Sequence, residues 1–345
     1  MAIKFIINRK ILRFLLPSII VVMIILVNTV LFWPQNNLNS SVKIFINPGS
    51  SLTKISNILA QKEIISNTST FIWAAKLMKK EKKIPTGAYK LEKTFTNYEI
   101  INELANGIPE VKEIKILEGW NLTLIANELN KKLNFKIEHL NELFIDKSLL
   151  KSNKIESNSL EGYLFPDTYK VFEGDNVRSV LTLLIKTHKR FWTKTNINRA
   201  KELKFSIHEI VTLASIIEGE AIYDSERSKI SGVYHNRLKL GMKLQADPTI
   251  QYIIQDSPRR LLNKDLRIKS PYNTYMYKGL PPGPINSPGR NSLLAALYPE
   301  KNDFIFFVAR GDGYHTFTTN ERDHNLAKKK LQKLRKKLKK KRYNG

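Results

Sequence analysis

The chain has no cysteine. A disulfide framework, a thiolate metal site and a cysteine nucleophile are therefore all excluded. Acidic residues are scarce as well. Asp and Glu number 31 against 57 Lys and Arg, a formal net charge of +26 over 345 residues. A surplus of this size predicts an anionic partner, whether nucleic acid, a membrane surface or an acidic polymer. No nucleic-acid reading motif accompanies the charge, part of which reflects a chain rich in Lys, Ile and Asn throughout. Long apolar runs are nearly absent. The exception, residues 14–33, is uncharged and about as long as a spanning helix requires. No small-residue cleavage site follows it, so it reads as an uncleaved anchor rather than a signal peptide. Lys4, Arg9, Lys10 and Arg13 precede it, which predicts a cytoplasmic N-terminus and an exported remainder. Export argues against nucleic acid as the partner.

With 42% hydrophobic residues the chain can bury a real core, and its length suggests two or three domains. The order of strand, helix and turn signals along the chain predicts an α+β protein divided as 1–13 (cytoplasmic), 14–33 (transmembrane helix), 34–41 (linker), 42–108 (a small βααβ module), 109–200 (a second α+β segment), 201–326 (the chemical part) and 327–345 (a basic tail). The pattern Gly49-x-x-Leu52-Thr53-x-Ile55-x-Asn57 returns as Gly119-x-x-Leu122-Thr123-x-Ile125-x-Asn127. Each copy follows a strand-like run, so one strand–turn–helix unit is used twice. Residues 160–169 are dense in aromatics. They suit either a packed junction or a sugar platform with Asp167 as a hydrogen-bonding partner.

Residues 206–221, SIHEIVTLASIIEGEA, read as a helix opened by a Ser206/Glu209 capping box. Ile207, Ile210, Val211, Ala214, Ile217 and Ala221 share the helical period and mark a core face. On an ideal helix Glu218 falls inside that face and Glu220 nearly opposite. A desolvated Glu218 would be held protonated near neutral pH, as a general acid must be. The alternative is a buried ion pair with Arg227 or Arg237.

Downstream, Asp247-Pro248 reads as an N-cap followed by Pro at the first helical position, which by itself accounts for Asp247. Gln245 has no such structural explanation. Residues 271–289 form a proline-stiffened loop with three tyrosines, a form that is costly unless it shapes a site. Gly311-Asp312-Gly313 is a hairpin turn, and His315 on the return strand reads as a turn-satisfying residue. The leucines of the lysine-rich tail allow a basic amphipathic helix, although a solvated, frayed tail is the plainer reading.

Taken in order, Leu160-Glu-Gly-Tyr-Leu-Phe-Pro-Asp167, Ala214-Ser-Ile-Ile-Glu218-Gly-Glu220, Asn236-Arg-Leu238, Leu244-Gln245-x-Asp247-Pro248-Thr249, Tyr272-Asn273-Thr274-Tyr275, Gly279-Leu-Pro-Pro-Gly283, Asn286-Ser-Pro-Gly289 and His315-Thr316-Phe317 resemble the YceG-like family of endolytic murein transglycosylases. The resemblance covers nearly all of the chain beyond the apolar run. It implies a single-pass inner-membrane protein with a LysM-like βααβ subdomain and a mixed α+β YceG-like catalytic domain outside the cytoplasm. It also implies peptidoglycan glycan strands as substrate, peptidoglycan synthases as partners, and chemistry with no metal or cofactor. Glu218 aligns with the family's acid. Gln245, Asn273 and Thr316 would position acetamido groups, with Glu220, Asp247, Tyr275 and His315 as further substrate contacts. Gly219 departs from the Lys expected between the two glutamates. The alternative is a non-catalytic, membrane-anchored glycan-binding scaffold, and a membrane-anchored nucleic-acid binder is the third class.

Overall fold

The structure, a computed structural model, describes residues 9–35, 41–47, 49–91, 96–107, 111–172, 175–254 and 257–343, with backbone alone for 9–16 and 337–343. Most of the expected linker, residues 36–40, and residues 1–8 with Lys4 lie outside the described residues. The fold is mixed α+β, and the chain divides into two compact units, Met1–Glu113 with Lys170–Asn176, and Ile114–Tyr169 with Val177–Gly345.

The first unit begins with α1 (Arg9–Phe32), followed by β1 (Val42–Ile46), α2 (Leu52–Gln61), α3 (Thr68–Leu77), β2 (Gly87–Leu91) and α4 (Asn97–Asn106). The βααβ order forms as expected. β1 and β2 pair antiparallel from Val42 opposite Leu91 to Ile46 opposite Gly87. Alternation along the strands sends Ile44, Ile46, Tyr89 and Leu91 into the core, where they meet Ile55, Leu59, Phe71, Ile100 and Leu104. Local caps set the helix starts: the Ser51 side chain accepts from Lys54 N–H, and Thr96 forms a capping box with Glu99. Thr96 is the N-cap residue, and Asn97 is the first residue of the helix. Asn97 is buried and donates to the Val30 carbonyl of α1 (2.9 Å). The end of α1 packs on this core through Val30 and Leu31, while Ile19 to Val27 stay exposed. Among the described residues no helix is long and apolar enough to cross a membrane.

In the rest of the chain come β3 (Val111–Ile116), α5 (Leu122–Leu133), α6 (Ile137–Phe144), α7 (Lys147–Ser152), β4 (Asp167–Phe172), α8 (Val177–Phe191), α9 (Lys194–Glu202), α10 (Ile207–Glu220), α11 (Asp224–Lys239), α12 (Asp247–Ile253), α13 (Arg290–Leu297), β5 (Phe306–Ala309), β6 (His315–Thr318) and α14 (Glu321–Tyr343). β3 pairs with β4, and β5 forms an antiparallel hairpin with β6. The repeated strand–turn–helix unit is present twice, as β1–α2 and β3–α5. Gly49 (φ 74°) and Gly119 (φ 77°) turn each copy, and Ser51 and Asn121 cap it. The aromatic run at 160–169 is core. Leu160, Tyr163, Leu164 and Tyr169 are all buried, and exposed Asp167 accepts from Thr168 N–H. A sugar platform there is excluded by that burial.

α10 is the centre of the second unit. It packs against α9, α11, α12 and α13, and every residue from Ile210 to Ile217 is buried. A helix covered on all sides has no solvent face, so the angular argument that separated Glu218 from Glu220 loses its premise.

Candidate active site

The two glutamates of α10 sit in different surroundings. Glu218 Oε1 lies 3.0 Å from Arg227 Nη1, with side chains 6% and 8% exposed. Its Oε2 accepts the Gly289 N–H (2.9 Å). Arg227 also holds Asp224 at 2.7 Å. Glu118 belongs to the same cluster. Burial, and then the Glu218 charge, push its carboxyl above the usual range. The ion-pair alternative for Glu218, with Arg227 as the cation, is therefore what the fold builds.

The surroundings expected of an acid are found two residues on. Glu220, expected on the outer side, lines a cavity of about 450 Å³ together with Gln245, Asp247, Tyr275 and His315. Burial first, and then the Asp247 charge, raise its carboxyl to about 8. The Tyr234 hydroxyl donates to Glu220 Oε1 (3.0 Å), and the Asp247 backbone N–H adds a weaker opposing pull. Arg237 lines the same cavity but spends its donors on backbone. Its Nε reaches the Ile305 carbonyl (2.7 Å) and its Nη1 the Leu244 carbonyl (2.6 Å). Glu220 is left without a direct cation, which keeps its proton on at neutral pH.

Gly219 makes this placement possible. A Cβ there would lie 2.6 Å from Pro248 Cβ. The glycine admits α12 against the end of α10, and α10 continues through it to Glu220. The close approach is therefore between helices.

Asp247 does not cap α12. Ala246 is the N-cap residue and Asp247 the first helical position, with no side-chain cap bond. Its carboxylate instead accepts from the Tyr275 hydroxyl, so the capping explanation fails and the side chain belongs to the cavity. Gln245 holds a left-handed backbone (φ 50°), and its N–H donates to the Thr274 carbonyl (3.0 Å). Such a conformation costs a non-glycine residue about 1–2 kcal/mol. His315 Nδ1 lies 2.9 Å from Glu226 Oε2, and its backbone N–H donates to Glu226 Oε1 (3.0 Å).

Two expected site residues are not brought to this cavity. Asn273 is fully buried, donates to the Leu266 and Ile268 carbonyls (3.1 and 2.8 Å) and accepts from Tyr275 N–H (2.9 Å). Its amide knits its own loop. Thr316 follows His315 on β6, and strand alternation turns it to the other side of the hairpin. There it lines a separate cavity of about 480 Å³ with Asp323, Leu326 and Leu331. Among the described residues no cluster of His, Asp or Glu could hold a metal ion.

Residues 44–330 match the model of the YceG-like family. The chain belongs to that family. A Bacillus subtilis relative named endolytic murein transglycosylase is 34% identical over 312 residues, 86% of each chain. A Streptococcus pneumoniae relative of the same name is 28% identical over 86% of this chain and 60% of its own length. A yceG-like protein from Listeria monocytogenes, solved by crystallography, superposes with a TM-score of 0.58 at 31% identity, over 84% of this chain and 99% of that one.

Some residues of this candidate site escaped the sequence. Neither Tyr234, an aromatic in the middle of a helix, nor Glu226 carries a functional signal in the sequence. Lys328, Gln332 and Arg335 of α14 also line the Glu220 cavity, although the tail read as solvated and frayed. The spacing of Leu331, Leu334 and Leu338 was the available clue, and α14 indeed packs on β5 and β6.

Proposed function

We propose that this chain is an endolytic lytic transglycosylase of peptidoglycan, cleaving the β-1,4 bond between N-acetylmuramic acid and N-acetylglucosamine within glycan strands, with Glu220 as the acid and base. The observation that carries the reading is a carboxyl raised to about 8 inside a polar cavity and without a cation partner. The matched relatives' names point to the same reaction. Ordinary glycosidases use two carboxyl groups, whereas this reaction needs one. Glu220 gives its proton to the glycosidic oxygen as the C1–O bond breaks. The resulting carboxylate takes the proton of the muramyl C6 hydroxyl, whose oxygen closes on C1. The products are a free GlcNAc 4-hydroxyl and a 1,6-anhydro end, and no water is consumed. The Tyr234 hydroxyl stabilises the carboxylate in between. Gln245 serves the acetamido groups, and the Asp247–Tyr275 pair and His315 line the sugar path.

This assigns Glu218, the residue aligned with the family's acid, to holding Arg227 and the Gly289 loop. The test is mass analysis of nascent glycan after incubation with the full chain, Glu220→Gln or Glu218→Gln. Anhydro ends persisting with Glu220→Gln but vanishing with a folded Glu218→Gln would return the role to Glu218. Strands bound but never shortened by the unaltered chain would leave the glycan-binding scaffold.

The finer biology belongs to the same proposal. The apolar run at 14–33 anchors the chain in the plasma membrane with the N-terminus in the cytoplasm. The βααβ module acts as a LysM-like glycan contact, and cleavage beside peptidoglycan synthases ends nascent strands. The exposed side chains from Ile19 to Val27 support the anchor. A C-terminal reporter active only inside the cell would refute that orientation.

A further inference from the structure

One wall of the Glu220 cavity comes from α14. The helix is seated on the β5–β6 hairpin, with the Phe306 ring stacked on His324 at 4.8 Å. Leu334 lies so close to Gly311 that a Cβ there would meet its Cδ2 at 2.8 Å. Seated this way, Lys328, Leu331, Gln332 and Arg335 face the cavity. Their spacing of three, four and seven residues is one face of a helix. Among the described residues neither Lys328 nor Arg335 has an ion-pair partner. The carboxylates of that cavity region are already engaged, Asp247 by Tyr275 and the neighbouring Glu226 by His315. Lys328 and Arg335 therefore line the space where the substrate would lie with no ion pair of their own, since the Asp247 carboxylate of that cavity is held by the Tyr275 hydroxyl and not by either of them. A neutral aminosugar polymer has no use for them, but a charged strand does, because charge-assisted hydrogen bonds to a carboxylate are about twice as strong as neutral ones.

We propose that Lys328 and Arg335 form a carboxylate-binding subsite of the Glu220 cavity, which takes a carboxylate carried by the strand near the bond being cleaved. This rests on the murein reading above. Two sources have the required chemistry: the lactyl carboxylate of a peptide-free muramyl residue, and the carboxylates of a stem peptide. The subsite would make α14 a determinant of which strands are cut.

The experiment uses the full chain and three probes: peptide-bearing strands, amidase-treated strands with free lactyl carboxylates, and chitin oligosaccharides with neither. Lys328→Gln/Arg335→Gln is compared with Lys328→Arg/Arg335→Lys, and urea midpoints confirm that both are folded. The double Gln variant should raise KM about tenfold on carboxylate-bearing strands, move kcat less than twofold, and flatten the salt dependence of KM. The conservative variant should restore KM. Loss confined to peptide-bearing strands names the stem peptide, and equal loss on amidase-treated strands names the lactyl group. An unchanged KM, or an equal loss of retention on chitin oligosaccharides, overturns the subsite. The same comparison by binding, in a Glu220→Gln background, decides the subsite even if the chain proves to make no anhydro ends.

Discussion

A carboxyl can donate a proton at neutral pH only if its surroundings penalise the charged form more than they solvate it. Two residues apart on one helix, Glu218 and Glu220 show how local that condition is. Glu218 has a guanidinium at 3.0 Å and a backbone N–H at 2.9 Å. Glu220 has a tyrosine hydroxyl, a nearby aspartate and burial. Glu220→Gln should lower kcat by about 10²–10⁴-fold, the usual worth of a positioned acid or base. Glu218→Gln should retain anhydro-end chemistry but lose about 3 kcal/mol of stability, because the buried Arg227 would keep Asp224 and the Ser292 hydroxyl but lose its buried carboxylate partner. Turnover assays and urea titrations separate the two outcomes. With Glu220 as the proposed acid, kcat/KM should fall as pH rises through about 8.

At the scale of elements, the site depends on how closely α12 and the 271–289 loop approach α10. Alanine is a better helix former than glycine by about 1 kcal/mol, yet Gly219→Ala should lower both the thermal midpoint and kcat. Its Cβ would meet Pro248 at 2.6 Å and push Asp247 away from Glu220. A midpoint that rose instead would refute this account of the packing. Asn273→Ala should cost about 1–3 kcal/mol by leaving buried carbonyls unpaired, and should leave KM unchanged. A rise in KM at unchanged stability would restore Asn273 to the substrate path. Most elements were legible from the sequence because caps and periodicity are local. The Ser206/Glu209 box, the βααβ order and the 311–313 turn all form as read. The capping role of Asp247 was misread by one position, since Ala246 and Asp247 divide the helix start in a way that α12's neighbours decide.

For the whole molecule, the pH dependence of stability follows from two acids that the fold desolvates, Glu161 in the interior and half-buried Glu220 in its cavity. Burial raises Glu161 to about 8, and one of its oxygens has no hydrogen-bond partner; Glu220 is raised to about 8 as well. A carboxyl whose folded pKa is raised binds its proton more tightly folded than unfolded. Its contribution is complete below the unfolded value of about 4.3 and is lost as pH rises through about 8. Asp265, drawn down to about 2 chiefly by its hydrogen bond to Arg259, acts in the opposite sense but only in acid. The urea midpoint should therefore decline between pH 5 and pH 9. Glu161→Gln should flatten part of that decline and stabilise the protein at pH 8, and an unaltered slope would show that Glu161 ionises without penalty.

By itself the sequence determined the family, the α+β class, the twice-used strand–turn–helix unit and the stretch that carries the two candidate acids, because these rest on local periodicity, caps and ordered motifs. Which glutamate has the surroundings of an acid was a tertiary matter. On an isolated helix the core face is the buried one, whereas α10 is enclosed by four helices and its far side closes a cavity rather than meeting water. The basic C-terminal run was likewise undecided from composition. Lysines on a frayed tail and lysines on a helix seated against a hairpin have the same charge, and only packing brings Lys328 and Arg335 to the cavity that Glu220 also lines.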